Sequence, residues 1–353
     1  MMGTDTLRET TKQLLSLPDK KYITFLWHGG EPLLMGVDFY KKAVEFQKEY
    51  ANGKEIKNTM QSNAILINDS YLDFFEENRF SVGSSMDGPE HIHNMNRIYQ
   101  DGSGSFKDVL SGLEKIWARN KKIRERTPKG ERPHHLGGGV ITILTKKNIE
   151  RLDEIYEFFK SRKLSFKLNP LIKSGNALNN YEDFGIGPSE YGEALVKLFD
   201  KWYNEPGEGI DIDPLSQIIG DLITRKPHSC SFSKNCGESF ISIGPRGDIY
   251  PCGRFDGDLK NRLGNIHTSS LEKLIQLNKT SKMELKSCKN IKSCMDCSYE
   301  DICNSGCRHN AYMVRGKLTD KDFYCASYKM LFKHIEEKIM PELETAKVKG
   351  GKK

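Results

Sequence analysis

No cysteine precedes Cys230 in this 353-residue chain, although nine occur from there to Cys325. The residues before Cys230 therefore offer neither a thiol nucleophile nor a sulfur ligand for a metal. Long apolar runs are also missing. The longest, such as Val140 to Leu144, are far too short to cross a bilayer, so no membrane partner is expected. The opening MMGTDTLRETTKQLLSLPDK has no apolar stretch of the kind that forms a secretory leader. Without export the chain is cytoplasmic and its thiols stay reduced, which favours metal binding over disulfides. An odd count of nine cysteines also argues against complete pairing. The excess of one sign of charge is small too. The net of +6 owes part of its excess to Lys347, Lys349, Lys352 and Lys353 at the tail, and implies no nucleic-acid partner. No repeat of solenoid length is visible.

What is present, 37% hydrophobic and 29% charged residues, fits a globular protein with one large core and a smaller domain. The cysteines follow ligand spacing. Cys230, Cys236, Cys252, Cys294, Cys297, Cys303, Cys307 and Cys325 form the pattern, and Cys288 is left over as an ordinary thiol. The densest part, Cys294-x2-Cys297-x5-Cys303-x3-Cys307, suits one soft metal centre, since iron and zinc both accept four sulfurs in a tetrahedron. Spacing alone leaves a pair of structural zinc sites open.

Upstream, helix-like and strand-like segments alternate. Helices are expected over Thr4–Leu17, Asp38–Tyr50, Asn68–Glu77, Phe106–Arg119 and Asn148–Ser161. Strands are expected over Tyr22–Trp27, Lys57–Ser62, Phe80–Ser85, Val140–Leu144 and Phe166–Leu171, with Lys121–Pro133 an exposed basic loop. Such alternation implies parallel strands with right-handed crossovers, and ligands at the strands' carboxyl ends. That rim carries Gly29-Gly30-Glu31-Pro32, Asn63 and Ser85-Met86-Asp87-Gly88. Paired glycines let backbone approach a ligand, and Glu31 offers a carboxylate to an amine. His91-x-His93 and His134-His135 read as loop or helix-start features rather than metal pairs, and Asp87 as a turn former. Residues 176–228 read as helical, with Pro188–Trp202 clearest. Beyond Cys230 the chain reads as loop-rich, with one hairpin (Phe240–Ile243 and Ile249-Tyr250) and a final helix over Ser327–Glu342.

These motifs resemble radical S-adenosylmethionine (SAM) enzymes with a C-terminal SPASM domain, over nearly the whole chain. Gly29-Gly30-Glu31-Pro32 is similar to the family's SAM amino-group motif. Gln61-Ser62-Asn63 and Val82 to Pro89 resemble the next strand ends, with Ser85 helping to hold SAM. Cys236-x10-Gly247-x4-Cys252 and the downstream cysteines match the SPASM signature. The resemblance implies two auxiliary [4Fe-4S] clusters, one on Cys230, Cys236, Cys252 and Cys307, the other on Cys294, Cys297, Cys303 and Cys325. The implied fold is a partial (β/α)6 radical SAM barrel missing its first strand, followed by a loop-rich SPASM domain. The implied layout is a radical SAM core over 1–175, a helical bridge over 176–229, the SPASM domain over 230–342 and a basic disordered tail over 343–353.

Two departures stand out. The family's Cys-x3-Cys-x2-Cys, which holds the SAM-cleaving cluster, is absent. The chain begins at what resembles the first helix, so the expectation is an N-terminally truncated sequence, inactive as it stands, with an uncovered apolar sheet edge. A natural cluster-free remnant or a non-catalytic peptide-docking module is the rival. In the resembling anaerobic sulfatase-maturating enzymes, an Asp after the cysteine matching Cys252 is the catalytic base, whereas here Gly253 and Arg254 follow. The main expectation is therefore anaerobic oxidative crosslinking of a ribosomal peptide or protein side chain. Sulfatase maturation, Cys or Ser to formylglycine, is the alternative. The catalytic base is unassigned, and a flavodoxin or ferredoxin would supply electrons.

Overall fold

The structure is a computed structural model that describes residues 1–205, 209–234, 236, 240–286 and 291–350, the side chains of 279–286 and 343–350 excepted. Cys288 lies outside the described residues. The chain divides into two compact units, Met1–Thr142 with Phe240–Thr280, and Ile143–Ser239 with Ser281–Lys353.

The first unit opens with α1 (Thr4–Leu15), β1 (Tyr22–Trp27), α2 (Val37–Tyr50), β2 (Glu55–Ser62), α3 (Asp69–Glu77) and β3 (Ser81–Ser85). It continues with α4 (Glu90–His93), α5 (Phe106–Arg126) and most of β4 (Gly137–Leu144). Neighbouring strands pair in parallel, Tyr22 opposite Glu55 through Trp27 opposite Met60, then Thr59 opposite Ser81. Helix α3 shows how sequence dictates the packing. The Asn68 carbonyl oxygen of the side chain accepts the Tyr71 N–H at 3.1 Å, and Tyr71, Leu72, Phe74 and Phe75 then line one buried face. Phe75 stacks on Phe80 at 5.4 Å, and Phe80 meets Tyr40 of α2 edge-on at 6.1 Å. One polar pair is sealed inside this core. The Gln47 and Asn58 amides exchange hydrogen bonds of 3.0 and 2.9 Å, and the Trp27 indole N–H also donates to Asn58.

The exposed basic loop expected over Lys121–Pro133 is corrected. Helix α5 continues to Arg126, because Lys121 to Arg126 are sound helix formers and Ile123 is buried. Only the segment from Thr127 onward leaves the helix.

The later segment of this unit holds a three-stranded antiparallel sheet, β7 (Ser242–Ile243), β8 (Asp248–Tyr250) and β9 (Gly264–Asn265), and the start of α10 (Leu271–Lys286). The sequence predicts only one hairpin here. Strand β9 gives no signal because it pairs only two residues, and α10 gives little because its described apolar contacts, Leu271, Leu274 and Ile275, fall within one short stretch. Ile249, Ile266, Leu271 and Leu274 form a cluster that receives Leu14 of α1. Gln13 of α1 donates to the Ile266 carbonyl at 2.9 Å and accepts the Leu271 N–H at 2.7 Å.

The second unit holds α6 (Leu152–Ser161), β5 (Phe166–Pro170), α7 (Ala177–Phe184), α8 (Pro188–Asn204), β6 (Ile212–Asp213) and α9 (Leu215–Thr224). It ends with α11 (Lys292–Met295), α12 (Glu300–Cys303), α13 (Arg308–Arg315) and α14 (Cys325–Gly350). Leu152, Ile155, Tyr156 and Phe159 give α6 its helical apolar stripe. Helices α8 and α14 join through Asp200, which takes His334 at 2.8 Å and Lys338 at 3.2 Å. The six strands β1 to β6 follow one another in sheet order. Two residues of β6 are too few to be recognised in the sequence. Among the described residues no helix is long and apolar enough to cross a membrane.

Candidate functional site

The rim at the carboxyl ends of β1, β2 and β3 is held together by Glu31. Gly29 and Gly30 leave β1 at φ of +96° and +48°, a region that side-chain-bearing residues rarely adopt, and a Cβ on either would meet nothing within 4 Å. Backbone conformation and open space, not crowding, set the glycines there. The Glu31 Oε1 accepts the Leu33 N–H at 3.0 Å and the Ser62 hydroxyl at 2.7 Å, and its Oε2 accepts the Asn63 N–H at 2.8 Å. An ionised carboxylate has about four lone-pair sites, so these three bonds leave room for one more donor. Pro32 is buried, and its carbonyl accepts the Tyr40 hydroxyl at 2.7 Å, while Tyr71 donates to Leu33. Burial is the first cause pushing both phenols above their ordinary range, which keeps them neutral donors. Asn63 turns its oxygen back to the Ile65 N–H at 3.0 Å. Ser85 joins this rim through Gln61, whose amide donates to its hydroxyl at 3.2 Å. Glu31 and Asn63 thus meet directly, and Ser85 stands one step away.

Behind Ser85, Asp87 does more than form a turn, which corrects the sequence reading. Its side chain is 1% exposed and takes Arg97 bidentately at 2.7 and 3.0 Å. The Asp87 N–H donates to His93 Nδ1 at 3.3 Å, His93 Nε2 lies 3.2 Å from the Ser105 hydroxyl, and that hydroxyl donates to the Arg97 carbonyl at 2.8 Å. An acceptor role for Nδ1 places the ring proton on Nε2, so the imidazole is neutral and the ring of bonds closes. Desolvation lowers the His93 pKa to about 4. His134 contacts the Phe80 carbonyl and His135 the Gly137 N–H, as loop residues.

One carboxyl escaped the sequence reading. Asp256 lies in the turn after Cys252, hydrogen-bonded by Ser242 and within electrostatic reach of His28, the residue before Gly29. It is accessible to solvent, yet desolvation raises its pKa, as happens where water reaches a carboxyl from one side only. Its signal in the sequence was the Cys252-x3-Asp256 spacing.

The cysteines sit at turns and helix ends. In the first unit, the Cys252 carbonyl accepts the Phe255 N–H at 3.0 Å. In the second, exposed Cys230 begins a short turn capped by Ser229, and Cys236 is half-buried. Buried Cys294 lies in α11 and its carbonyl accepts the Cys297 N–H at 3.2 Å, Cys303 ends α12, Cys307 caps α13 and Cys325 opens α14. Burial raises the Cys325 thiol first, and Cys297 and Asp322 raise it further, so residues distant in sequence share one neighbourhood. Among the described residues no three His, Cys, Asp or Glu side chains converge as a ready-made metal cage. The donor chemistry, soft thiols on short turns, nevertheless fits an iron–sulfur group.

Residues 230–298 match the family model of the SPASM iron–sulfur cluster-binding domain. The cysteine-type anaerobic sulfatase-maturating enzyme of Clostridium perfringens (strain 13 / Type A) is 29% identical over 349 residues, covering 96% of this chain and 88% of that protein. The serine-type enzyme of Bacteroides thetaiotaomicron (strain ATCC 29148) is 25% identical over 355 residues, covering 95% and 81%. The solved structure of native anSMEcpe with bound AdoMet and Kp18Cys peptide superposes with a TM-score of 0.81 at 26% identity, covering 98% of this chain and 91% of that one. The parallel sheet and the cysteine-bearing C-terminal region together define a radical SAM fold with a SPASM iron–sulfur domain. Within that class the chain is similar to the anaerobic sulfatase-maturating enzymes, as a radical SAM/SPASM protein. The SPASM match and the AdoMet-bound neighbour support iron–sulfur clusters and SAM as its cofactors.

Proposed function

We propose that this chain serves the anaerobic oxidation of a cysteine or serine side chain in a protein substrate to formylglycine. The observation that carries the reading is Glu31, tied by three bonds to the strand-end rim with one acceptor site left for an ammonium group. Gly29, Gly30, Glu31, Pro32, Asn63 and Ser85 would hold SAM, which supplies hydrogen-atom abstraction when bound. The SPASM thiolates would hold clusters that take up an electron. The two maturase types among the relatives favour this substrate class over crosslinking. For cysteine, the side-chain CH2–SH and one water give the aldehyde, hydrogen sulfide, two protons and two electrons. Asp256 is the carboxylate we assign to accept the substrate proton, in place of an acid directly after Cys252.

The cysteine-free region before Cys230 supplies no thiolates for a SAM-cleaving cluster. The chain, reconstituted anaerobically with iron and sulfide, is expected to bind SAM and a Cys-containing sulfatase peptide. Calorimetric titration reads the binding, with the Cys-to-Ala peptide as control. Failure to bind SAM, or equal binding of both peptides, refutes the proposal. Crosslinking remains a second reading because Gly253 and Arg254 follow Cys252. Product mass from protein that also carries the Cys-x3-Cys-x2-Cys segment separates the two, since crosslinking removes hydrogen and keeps the sulfur.

A further inference from the structure

Asp322 is fully buried, and two cysteine-bearing backbones hang on it, that of Cys307 through the carboxylate and that of Cys325 through the main-chain carbonyl. Its Oδ2 accepts the Cys307 N–H at 2.6 Å, and its Oδ1 accepts the Tyr324 N–H at 2.7 Å. The Asn310 amide donates to both oxygens at 3.2 and 3.3 Å. The backbone joins in, as the Asp322 N–H donates to the Ser305 carbonyl at 2.9 Å and the Asp322 carbonyl accepts the Cys325 N–H at 3.1 Å.

The turn that delivers Cys307 is built against this residue. Asn304, Ser305 and Gly306 have φ of +48°, +64° and +75°, three successive left-handed residues that persist only where surroundings hold them. A Cβ on Gly306 would come within 2.4 Å of the Asp322 Cβ. Glycine is needed there both for the conformation and for the close approach.

We infer that Asp322 is a positioning residue that sets the Cys307 and Cys325 backbones and the charge felt by the iron–sulfur groups those cysteines serve. The inference rests on the reading of these cysteines as cluster ligands. An asparagine at 322 is the same size, but only its oxygen accepts, so its NH2 would face one of the incoming N–H donors. It also removes a negative charge. Cluster potentials respond to nearby charge and to hydrogen bonding, so the loss of charge moves them upward.

The test uses the full chain, anaerobically reconstituted with iron and sulfide, with iron analysis, circular dichroism and EPR-monitored redox titration. Wild-type protein should hold about eight irons, and D322N about four or fewer, with the surviving signal at a higher midpoint potential. N310A removes one neutral donor from the carboxylate, which leaves iron content intact and shifts the midpoint downward. Opposite signs for the two variants would not arise from a purely structural role. Full iron and an unmoved midpoint in D322N overturn the inference while leaving the cluster reading standing. Should D322N fail to fold, N310A decides, and an unmoved midpoint there is equally fatal. Wild-type chain that takes up zinc and no iron sinks the cluster reading itself.

Discussion

Acidification should weaken this protein through His93, and the size of the effect follows from its surroundings. His93 is 0% exposed, its pKa is lowered to about 4 chiefly by desolvation, and both ring nitrogens sit in the closed ring with Asp87, Arg97 and Ser105. In the unfolded chain the imidazole titrates near its ordinary value of 6.5. Below that pH the unfolded state takes up a proton that the folded state refuses, so stability falls as pH drops from about 6.5 towards about 4. Once the folded ring also titrates, near pH 4, the loss levels off. A gap of about 2.5 pKa units at about 1.36 kcal/mol each gives about 3.4 kcal/mol in full, and about 2.5 kcal/mol by pH 4.5. Urea melts at pH 7 and 4.5 measure it, with H93Q as the comparison because glutamine does not titrate. His134 and His135, also lowered by desolvation, contribute equally to both proteins, so the difference between their pH slopes isolates His93. Equal slopes in wild type and H93Q would refute the reasoning. The rim residue Ser85 lies two positions before Asp87, so SAM affinity should decline over the same interval.

Other perturbations have signs that can be stated in advance. E31Q leaves an NH2 facing at least one of the donors from Leu33, Ser62 and Asn63, and should raise the SAM dissociation constant about tenfold or more; unchanged calorimetric affinity would remove Glu31 from the site. The raised pKa of Asp256 means that its ionised form costs folded-state stability above the ordinary carboxylate pKa. D256N should therefore melt no lower than wild type at pH 7 while losing discrimination between the Cys and Ala peptides, and a lower melting temperature would assign Asp256 a structural role instead. C288S should leave the iron content of reconstituted protein unchanged, and a fall would bring Cys288 into the ligand set.

The strands and the sulfur spacing are legible because their signals are local. Tyr22–Trp27 carries β-branched and aromatic residues between turn formers, and thiols at short intervals are rare enough to stand out. Strand β6 escapes notice since two residues make no periodic pattern, and its pairing with β5 is decided by register at Phe166 and Ile212. The end of α5 is hard to place because Lys and Arg look like loop on hydrophilicity alone, although a single buried Ile123 holds that turn. The roles of Asp87, Asp256 and Asp322 depend on partners many residues away, such as Ser242 for Asp256 and Cys307 for Asp322. A lone aspartate in sequence cannot announce such a partner, so Asp87 reads as a turn former and Asp256 and Asp322 pass unnoticed.

The seating of α1 against residues 249 to 274 has a consequence for synthesis. Leu14 and Gln13 find their partners only when Ile249, Ile266, Leu271 and Leu274 exist. During translation the helix has left the ribosome more than two hundred residues earlier, at roughly 5 to 20 residues per second. For more than ten seconds the Leu14 end of its apolar stripe waits uncovered, while the long-range contact it needs is still unmade. The nascent chain is then a natural client for a holding chaperone, and the interval closes only after the first three of the nine cysteines, Cys230, Cys236 and Cys252, have emerged.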